Sequence, residues 1–266
     1  MINDSVTNVF CYSNHCLTQI MRKFLRYLLL KPILWLVARF DADDICYPCR
    51  LEKQYDFLTG HRDYVLVGSD AEYVDMNGEF VFVFDYRGYT NEEIRNLPYH
   101  ICPFSHPTVL YKKDVIIAAG MYDVNAHNFE DHLLWRKVIQ LGKVYNIKEN
   151  LVKYRFNPES VTIDEKWRGS RFSKLKYEAI KKGYICKKEG DEILRIISGQ
   201  DTDKIKMGSY YSLLSKKYLF NNYDRVKAKE NIKQLIRTFP LKLQGYMMLV
   251  LSCFPEKLLK SIYKIK

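Results

Sequence analysis

Short apolar runs alternate with amphipathic segments over the front part of the chain. Residues 33–40 form an apolar run that ends at a charged cluster, which predicts a buried strand. Residues 48–59 open with a proline and place apolar side chains at helical spacing, which predicts a helix. Residues 64–69 and 80–84 are rich in β-branched and aromatic side chains and are separated by a turn signal at 76–78. This order of elements is typical of an α/β fold.

The same pattern continues to residue 156 and then changes. Further predicted elements are helices at 91–97, 112–119 and 130–141, and strands at 108–111, 144–147 and 151–156. From about Trp167 onward the pattern is helical, with breaks near Gly199, Asn221 and Pro240. We therefore predict an α/β mixed sheet with helices in front, followed by a helical appendage.

Charge is distributed unevenly between these two parts. The whole chain carries a net charge of +11, yet residues 166–266 contain 24 Lys and Arg against nine Asp and Glu. Such a basic rear indicates either a solvated helical face or a surface that meets anions. No nucleic-acid-binding motif stands out, and the apolar content of residues 241–263 favours an anionic membrane surface over nucleic acid.

Cysteine usage and the apolar runs favour the cytoplasm. Seven cysteines without regular spacing do not form the pattern of a disulfide framework. Cys46 and Cys49 have C-x-x-C spacing, but no second pair follows at the distance of a zinc site. The apolar runs at 28–37 and 241–254 are too short and too interrupted to span a bilayer. We expect a cytoplasmic protein, peripheral at the inner face of the plasma membrane.

The cluster Asp41-Ala42-Asp43-Asp44 is the first candidate for chemistry. It follows the first predicted strand, and an extended D-x-D places two carboxylates on the same side of the backbone. Carboxylate oxygens suit Mn²⁺ or Mg²⁺, which also take oxygens from a substrate phosphate. In α/β sheets ligands gather beyond the carboxyl ends of strands. Acidic triplets also cap helices or line solvent, so the spacing alone leaves that alternative open.

Four blocks in order over residues 38–163 resemble the bacterial family 2 glycosyltransferases of the GT-A fold. The blocks are ARFDADDI with Pro48, Arg50–Gln54 and Leu66–Ser69; His106-Pro107-Thr108 with Gly120–Asp123; Glu130-Asp131 with Leu134-Trp135; and Leu151–Arg155 continued by Ser160-Val161-Thr162. The resemblance implies a GT-A-like fold, that is, a partial Rossmann-like mixed sheet. It also implies an inverting transfer from a nucleotide-diphosphate sugar to an acceptor hydroxyl.

The resemblance also assigns roles to single residues. Asp41 and Asp43 would hold Mn²⁺ or Mg²⁺, and Asp131 would be the general base that takes the proton of the acceptor hydroxyl. A carboxylate at a helix N-terminus is favoured by the helix dipole, so Glu130 and Asp131 are equally explained as ordinary first-turn charges. Trp135 is expected in the core.

Four further side chains are candidates for contacts with the substrate. Asp44 and Glu130 adjoin the implied metal ligands and the implied base. His106 could contact the donor, although a histidine before a proline is often only a turn residue. Arg155 could pair with a phosphate or be an outward strand charge.

The resemblance fails at the front of the chain. The family opens with strands that bind the nucleoside, and residues 1–37 contain no such strands. We expect this N-terminal nucleoside-binding part to be lacking, through a shifted reading frame or a truncated gene. Leu133 and Asn157 also depart from residues common in the family. The predicted regions are a divergent segment at 1–37, a GT-A-like region at 38–163 and a basic helical region at 164–266.

Two other functions remain open at this point. The chain could be a non-catalytic fragment of a glycosyltransferase, which is the alternative that follows from the expected lack of the nucleoside-binding part. A phosphatase of the haloacid dehalogenase type also places D-x-D after an apolar strand, and Gly68-Ser69-Asp70 with Asp75 faintly resembles its last acidic motif. The favoured prediction is transfer of a sugar to a glycan or lipid-linked acceptor in surface polysaccharide synthesis.

Overall fold

The computed structural model describes residues 35–84, 88–200 and 202–264, with side chains as far as Ser261. The divergent segment predicted at 1–37 therefore lies almost wholly outside the described residues, as does the beginning of the strand predicted at 33–40. Statements below about structure concern the described residues.

The described residues form an α/β structure followed by helices. The strands are β1 Leu36–Ala38, β2 Ile45–Cys46, β3 Tyr64–Val74, β4 Phe80–Phe84, β5 Leu110–Lys112 and β6 Lys143–Arg155. The helices of the α/β part are α1 Arg50–Gly60, α2 Asn91–Arg95, α3 Lys113–Ala118 and α4 Glu130–Val138. The later helices are α5 Gly169–Lys182, α6 Lys187–Gln200, α7 Asp203–Lys217, α8 Arg225–Thr238, α9 Leu243–Leu251 and α10 Glu256–Lys264. The predicted α/β class with a helical rear is confirmed, and the GT-A-like form of the sheet stays a prediction.

One sheet, with strands of different lengths, forms the centre of the α/β part. Its order is β1-β5-β3-β6-β2, and β4 pairs with β3 beside this path. β1 and β5 run antiparallel, with Ala38 opposite Leu110. Because the end of β1 faces the start of β5, the loop after β1 and the 3₁₀ turn His106–Thr108 meet at the same edge of the sheet. This edge carries most of the predicted site.

Two apolar layers hold α1 and α4 against the sheet. Leu58 of α1 packs with Val67 and Leu110 of the strands. Trp135 of α4 is fully buried among aromatic and branched side chains, as predicted. Burying a large side chain of this kind contributes roughly 1.5–3 kcal/mol, so the face of α4 that carries Trp135 fixes the helix in place.

The prediction of two separate strands at 144–147 and 151–156 is wrong. β6 runs without interruption for 13 residues. The polar stretch in its middle reads as a break, but it stays extended because its side chains find partners at the surface. Glu149 pairs with Lys53, and the Lys148 ammonium lies 5.2 Å from the Tyr89 ring centroid.

The other element boundaries differ by small amounts from the predictions. The strand predicted at 108–111 begins at Leu110, because His106–Thr108 closes a 3₁₀ turn around Pro107. The helix predicted at 112–119 ends before Gly120, whose φ of 87° lies in the left-handed region that glycine adopts readily. In the helical rear, Gly183 with φ of 81° adds a break that the sequence pattern did not predict.

The chain divides into two compact units. The first comprises the described parts of Met1–Ala71, Phe84–Tyr154 and Arg168–Gly199, and the second comprises Glu72–Val83, Arg155–Trp167 and the described parts of Gln200–Lys266. The predicted boundaries after residues 37 and 163 stay a prediction. In the described ranges we find no helix with both the length and the apolar composition needed to cross a bilayer.

Candidate active site

The acidic cluster forms a tight turn directly after β1. The backbone N–H of Asp44 donates to the Asp41 carbonyl at 3.1 Å, which closes the turn. Asp41 and Asp44 are buried, whereas Asp43 is half-buried and Ala42 is exposed. The carboxylates of Asp41 and Asp43 thus belong to one short turn after β1, and the extended backbone predicted for the D-x-D pair is replaced by this turn.

Arg39 is a member of this site that sequence reasoning missed. Its buried guanidinium forms an ion pair with the Asp41 carboxylate. Burial raises the pKa of Asp41 above its ordinary value and Asp43 adds to this, while Arg39 acts in the opposite direction. Arg39 lies inside the ARFDADDI block, so its position in that block was the available signal.

Two buried polar side chains of α1 hold the acidic turn in place. Arg50 Nη2 donates to the Arg39 carbonyl at 2.8 Å, and its Nε donates to Gln54 Oε1 at 3.0 Å. Gln54 Nε2 in turn donates to the Thr108 carbonyl at 2.7 Å. The α1 helix therefore joins the loop after β1 to the turn before β5. Both residues belong to the Arg50–Gln54 block, to which the sequence assigned no role.

A buried polar chain extends from the turn before β5. His106 Nε2 lies 3.0 Å from Tyr122 Oη, and Tyr122 is hydrogen-bonded to Tyr111. Burial, together with the nearby positive charge of Arg39, lowers the pKa of His106 well below its ordinary value. His106 is consequently neutral at physiological pH and partnered by a tyrosine. Tyr111 and Tyr122 were not predicted as site residues.

Glu130 and Asp131 open α4, as the sequence predicted. Glu130 is buried and Asp131 is half-buried, and the backbone N–H of His132 donates to Asp131 Oδ1 at 2.7 Å. Burial, with the neighbouring charge of Glu130, raises the pKa of Asp131 to about 7. The expectation that the helix dipole would favour the ionised form is outweighed by burial at this position. The result is a carboxyl group that exchanges protons near neutral pH.

Tyr122 is influenced by charges from both parts of the site. Burial raises the pKa of the Tyr122 phenol well above its ordinary value, and the charges of Arg39 and Asp131 both act on it. Coulombic influence of this kind requires proximity inside the protein. Arg39 is paired with Asp41, so Tyr122 is near a partner of the acidic turn and near the start of α4.

Arg155 belongs to the second unit and is engaged there. Its Nη1 donates to the carbonyls of Asp75 and Met76, at 3.3 Å and 3.0 Å. The guanidinium thereby closes the turn between β3 and β4. This is a structural use of a side chain that was predicted to contact a phosphate, and the phosphate contact stays a prediction.

The residues that resemble a phosphatase motif are buried in β3 or hydrogen-bonded in the turn after it. Ser69 and Asp70 lie within β3 and are buried there. Asp75 Oδ1 accepts from the backbone N–H groups of Asn77 and Glu79, both at 2.9 Å. Asp70 Oδ2 accepts from the Tyr89 hydroxyl at 3.2 Å, so both carboxylates have structural partners within the fold.

The possible metal ligands at the acidic turn are compatible with only one way of holding a divalent cation. No group of three or more His, Cys, Asp or Glu side chains in the described ranges is arranged to hold a metal ion. Asp41 and Asp43 supply two carboxylates on one turn. Mg²⁺ is often held by one or two carboxylates while phosphates and water complete its shell. The site therefore fits a cation that arrives with a diphosphate.

Similarity to solved structures is low. Staphylococcus aureus TarS 1–349 has a TM-score of 0.41 and 12% identity, over 91% of this chain and 70% of that chain. The UDP complex of the same protein has a TM-score of 0.37 over 86% of this chain and 66% of that chain. No protein-family model matches the sequence.

Similarity to curated proteins is higher. The Escherichia coli O-antigen biosynthesis glycosyltransferase WbnJ is 34% identical over 51% of this chain and 53% of its own length. The Erwinia amylovora amylovoran biosynthesis glycosyltransferase AmsE is 33% identical over 49% of this chain and 48% of its own length. An Escherichia coli protein named UDP-Gal:alpha-D-GlcNAc-diphosphoundecaprenol beta-1,3-galactosyltransferase is 32% identical over 47% of this chain and 45% of its own length. The chain spans about half the length of these relatives. By sequence, the chain is a homologue of bacterial glycosyltransferases.

Proposed function

We propose that this protein is a metal-dependent, inverting glycosyltransferase that moves a sugar from a nucleotide-diphosphate sugar to an acceptor hydroxyl. The observation that carries the proposal is Asp131 at the start of α4, a carboxyl whose pKa is raised to about 7 and whose charge acts on Tyr122, as does that of Arg39, the partner of Asp41. Sugar transfer needs a diphosphate-binding group and a base close to each other, and the acidic turn and Asp131 would supply them.

The acidic turn would serve the departing diphosphate. Asp41 and Asp43 would hold Mn²⁺ or Mg²⁺, and a bound cation supplies neutralisation of the negative charge on the leaving group. Arg39 would orient the Asp41 carboxylate through its ion pair, and Arg50 would hold the backbone before the turn through its hydrogen bond to the Arg39 carbonyl. Asp44 adjoins these ligands and is the candidate for further contacts with the donor.

Asp131 would act on the acceptor. An alcohol attacks well only when a base takes its proton as the new bond forms, and a base with a pKa near the working pH is the most effective. The pKa of Asp131, raised to about 7, meets this condition. The His132 N–H fixes Asp131 Oδ1, while His106 and Glu130 remain candidates for contacts with the sugar. Arg155 is retained as a candidate contact for phosphate.

The names of the relatives suggest the class of substrate. One relative is named for a UDP-sugar donor and a diphosphoundecaprenol-linked acceptor, and two are named for O-antigen and amylovoran biosynthesis. We therefore propose a glycan or lipid-linked acceptor in surface polysaccharide synthesis, and a peripheral location at the cytoplasmic face of the membrane.

Titration calorimetry tests the donor site directly. UDP, GDP and dTDP are each titrated into the full chain with and without Mn²⁺, and we expect heat for one nucleotide only when the metal is present. Asp43→Ala should abolish this metal-dependent heat. Asp56→Ala is the matched control, because Asp56 is an exposed carboxylate on α1 of the same unit. If no nucleotide binds to the wild-type chain in the presence of Mn²⁺, the non-catalytic alternative replaces this proposal.

A further inference from the structure

The helix α9 exposes a continuous apolar face. Leu243, Tyr246, Met247 and Val250 are exposed by 69%, 43%, 56% and 60%, and their spacing places them on one side of the helix. We refer to these four residues as the C-terminal apolar face. The opposite side is packed: a Cβ at Gly245 would lie 2.7 Å from a side-chain carbon of Ile236 on α8.

An apolar stripe of this spacing normally faces a protein core. On α9 the packed side carries Gly245 and Met248, whereas the four residues of the C-terminal apolar face are exposed. Leu241, just before the helix, is fully exposed as well. Contiguous exposed apolar residues in a folded protein mark a surface that binds something.

Lysines and aromatic rings lie next to this face, in the same unit. The Lys242 ammonium lies 4.2 Å from the centroid of the Trp167 ring and 5.4 Å from that of Phe239. The Lys217 ammonium lies 3.8 Å from the centroid of the Phe82 ring. We call these five residues, together with Lys166, the lysine–aromatic cluster. Lys242 immediately precedes α9, so the cluster adjoins the C-terminal apolar face.

Within the described ranges, the charges of Lys217 and Lys242 are not offset by acidic side chains. Partial burial and the charge of Lys166 lower the pKa values of both Lys217 and Lys242. Among the described residues, no carboxylate forms an ion pair with Lys217 or Lys242 and none counters this shift. An anion bound at this place would relieve the mutual repulsion of the lysines.

We propose that the C-terminal apolar face and the lysine–aromatic cluster together dock onto an anionic phospholipid surface. Apolar side chains of an interfacial helix enter the boundary between headgroups and acyl chains, while lysines meet the lipid phosphates. Trp167 and Tyr246, both partly exposed, are of the type enriched at that boundary.

Charge decides between a lipid surface and a second copy of the chain. Residues 166–266 hold 24 basic against nine acidic side chains, so two copies that met through this face would repel each other. An anionic bilayer attracts the same residues, by roughly 1 kcal/mol for each lysine near the surface. This inference rests on the membrane location proposed above, but it does not depend on sugar transfer.

Vesicle flotation with the full chain tests the inference. Phosphatidylcholine vesicles with and without phosphatidylglycerol are compared, and we expect association only with the anionic vesicles. The double variant Leu243→Glu, Met247→Glu should lower the association at least about tenfold, because two large apolar side chains no longer leave water. Val226→Glu is the matched control, since Val226 is exposed by 69% on α8 and does not belong to the C-terminal apolar face. We expect it to change association less than about twofold.

Each possible result decides the inference. Lys242→Ala should weaken association by roughly fivefold and should reduce its sensitivity to salt. Equal association of the wild type and the double variant overturns the inference, as does displacement by inorganic phosphate at matched ionic strength, which would indicate a site for free phosphate. A dimer in light scattering that the double variant converts to a monomer would assign the face to a second copy instead. Circular dichroism establishes that the variants fold. Nucleotide binding is measured on the same samples, so failure of the donor site and failure of the lipid surface are distinguished.

Discussion

Charged side chains that are removed from water have different partners in the acidic-turn region of the first unit and in the lysine–aromatic cluster of the second. In the first, the guanidinium of Arg50 is surrounded by acceptors, among them the Arg39 carbonyl and Gln54 Oε1. In the second, Lys217 and Lys242 lie over aromatic rings and close to Lys166. A buried charge with a full set of partners holds the fold together. A buried charge without them costs free energy that a ligand can recover.

Asp131 shows the same distinction inside the first unit. It is half-buried beside another carboxylate, and its pKa is raised to about 7. Arg50 and Asp131 are both charged side chains on helices that pack on one sheet, yet only Arg50 is fully compensated. Incomplete compensation is a common property of functional groups, because reactivity requires a charge state that can change.

Replacing Asp131 tests the reactive side of this comparison and should have the largest effect. Asp131→Asn should lower the rate of metal-dependent nucleotide release from the donor by roughly 100- to 10,000-fold, because the amide cannot take a proton. The affinity for the nucleotide with Mn²⁺ should stay within about threefold of the wild-type value. Steady-state release assays and calorimetry measure the two quantities.

Asp114→Asn is the matched control for that experiment. Asp114 opens α3, and its Oδ1 accepts from the backbone N–H of Val115 at 2.9 Å, as Asp131 Oδ1 does from His132. Asp114 is exposed, however, so it has the same local geometry without the burial. A comparable loss of rate in both variants would mean that the helix start matters and the base does not.

Replacing Arg50 tests the compensated side of the comparison. Arg50→Met keeps much of the side-chain volume but leaves the Arg39 carbonyl and Gln54 Oε1 buried without their donor. We expect the free energy of unfolding to fall by roughly 3 kcal/mol. Urea denaturation measures this, and Arg195→Met on the exposed face of α6 should change it by less than about 0.5 kcal/mol. An equal effect of both variants would remove the structural role of Arg50.

The local chemistry of the site could be predicted from the sequence, but its connections could not. Asp41, Asp43 and Asp131 lie in short motifs whose spacing is itself the signal. The proximity of Arg39, just after β1, to Tyr111 on β5 depends on the register of β1 against β5, and the hydrogen bond of Tyr111 with Tyr122 depends on how the chain returns after β5. Register joins residues that are distant in sequence, so no local pattern reports it.

Burial of polar residues limited the prediction in a second way. Gln54 and Arg50 look like ordinary polar residues of α1 in the sequence. Their residue types give no indication that they donate hydrogen bonds to carbonyls of remote loops. The continuity of β6 was missed for the opposite reason, because its polar middle looks like a loop. Helix and strand positions followed from periodicity, whereas these exceptions followed from tertiary partners.

The pH dependence of stability gives a smaller effect from the same comparison. The pKa of Asp131 is about 7 in the folded chain against an ordinary value of 3.8, so between these pH values the folded state binds more protons than the unfolded state. The contribution of Asp131 to the free energy of unfolding is therefore full below about pH 4 and is lost as the pH rises to about 7. Asp131→Asn removes this contribution, so the variant should gain stability relative to the wild type as the pH increases over that range. Urea denaturation at several pH values measures the difference, and parallel pH profiles of the two proteins would contradict the raised pKa.

Replacing a lysine of the second unit should have the smallest effect, and it completes the comparison with Arg50. Lys217→Met removes an ammonium whose pKa is lowered by burial and by Lys166, and it keeps an unbranched side chain over the Phe82 ring. The lost attraction between cation and ring, about 0.5–1 kcal/mol, opposes the relief of desolvation and of repulsion. We expect the free energy of unfolding to stay within about 1 kcal/mol of the wild-type value, or to rise. A loss as large as that expected for Arg50→Met would show that Lys217 is compensated within the fold. The charge of the lysine–aromatic cluster would then be structural, and a lipid phosphate would have nothing to relieve there.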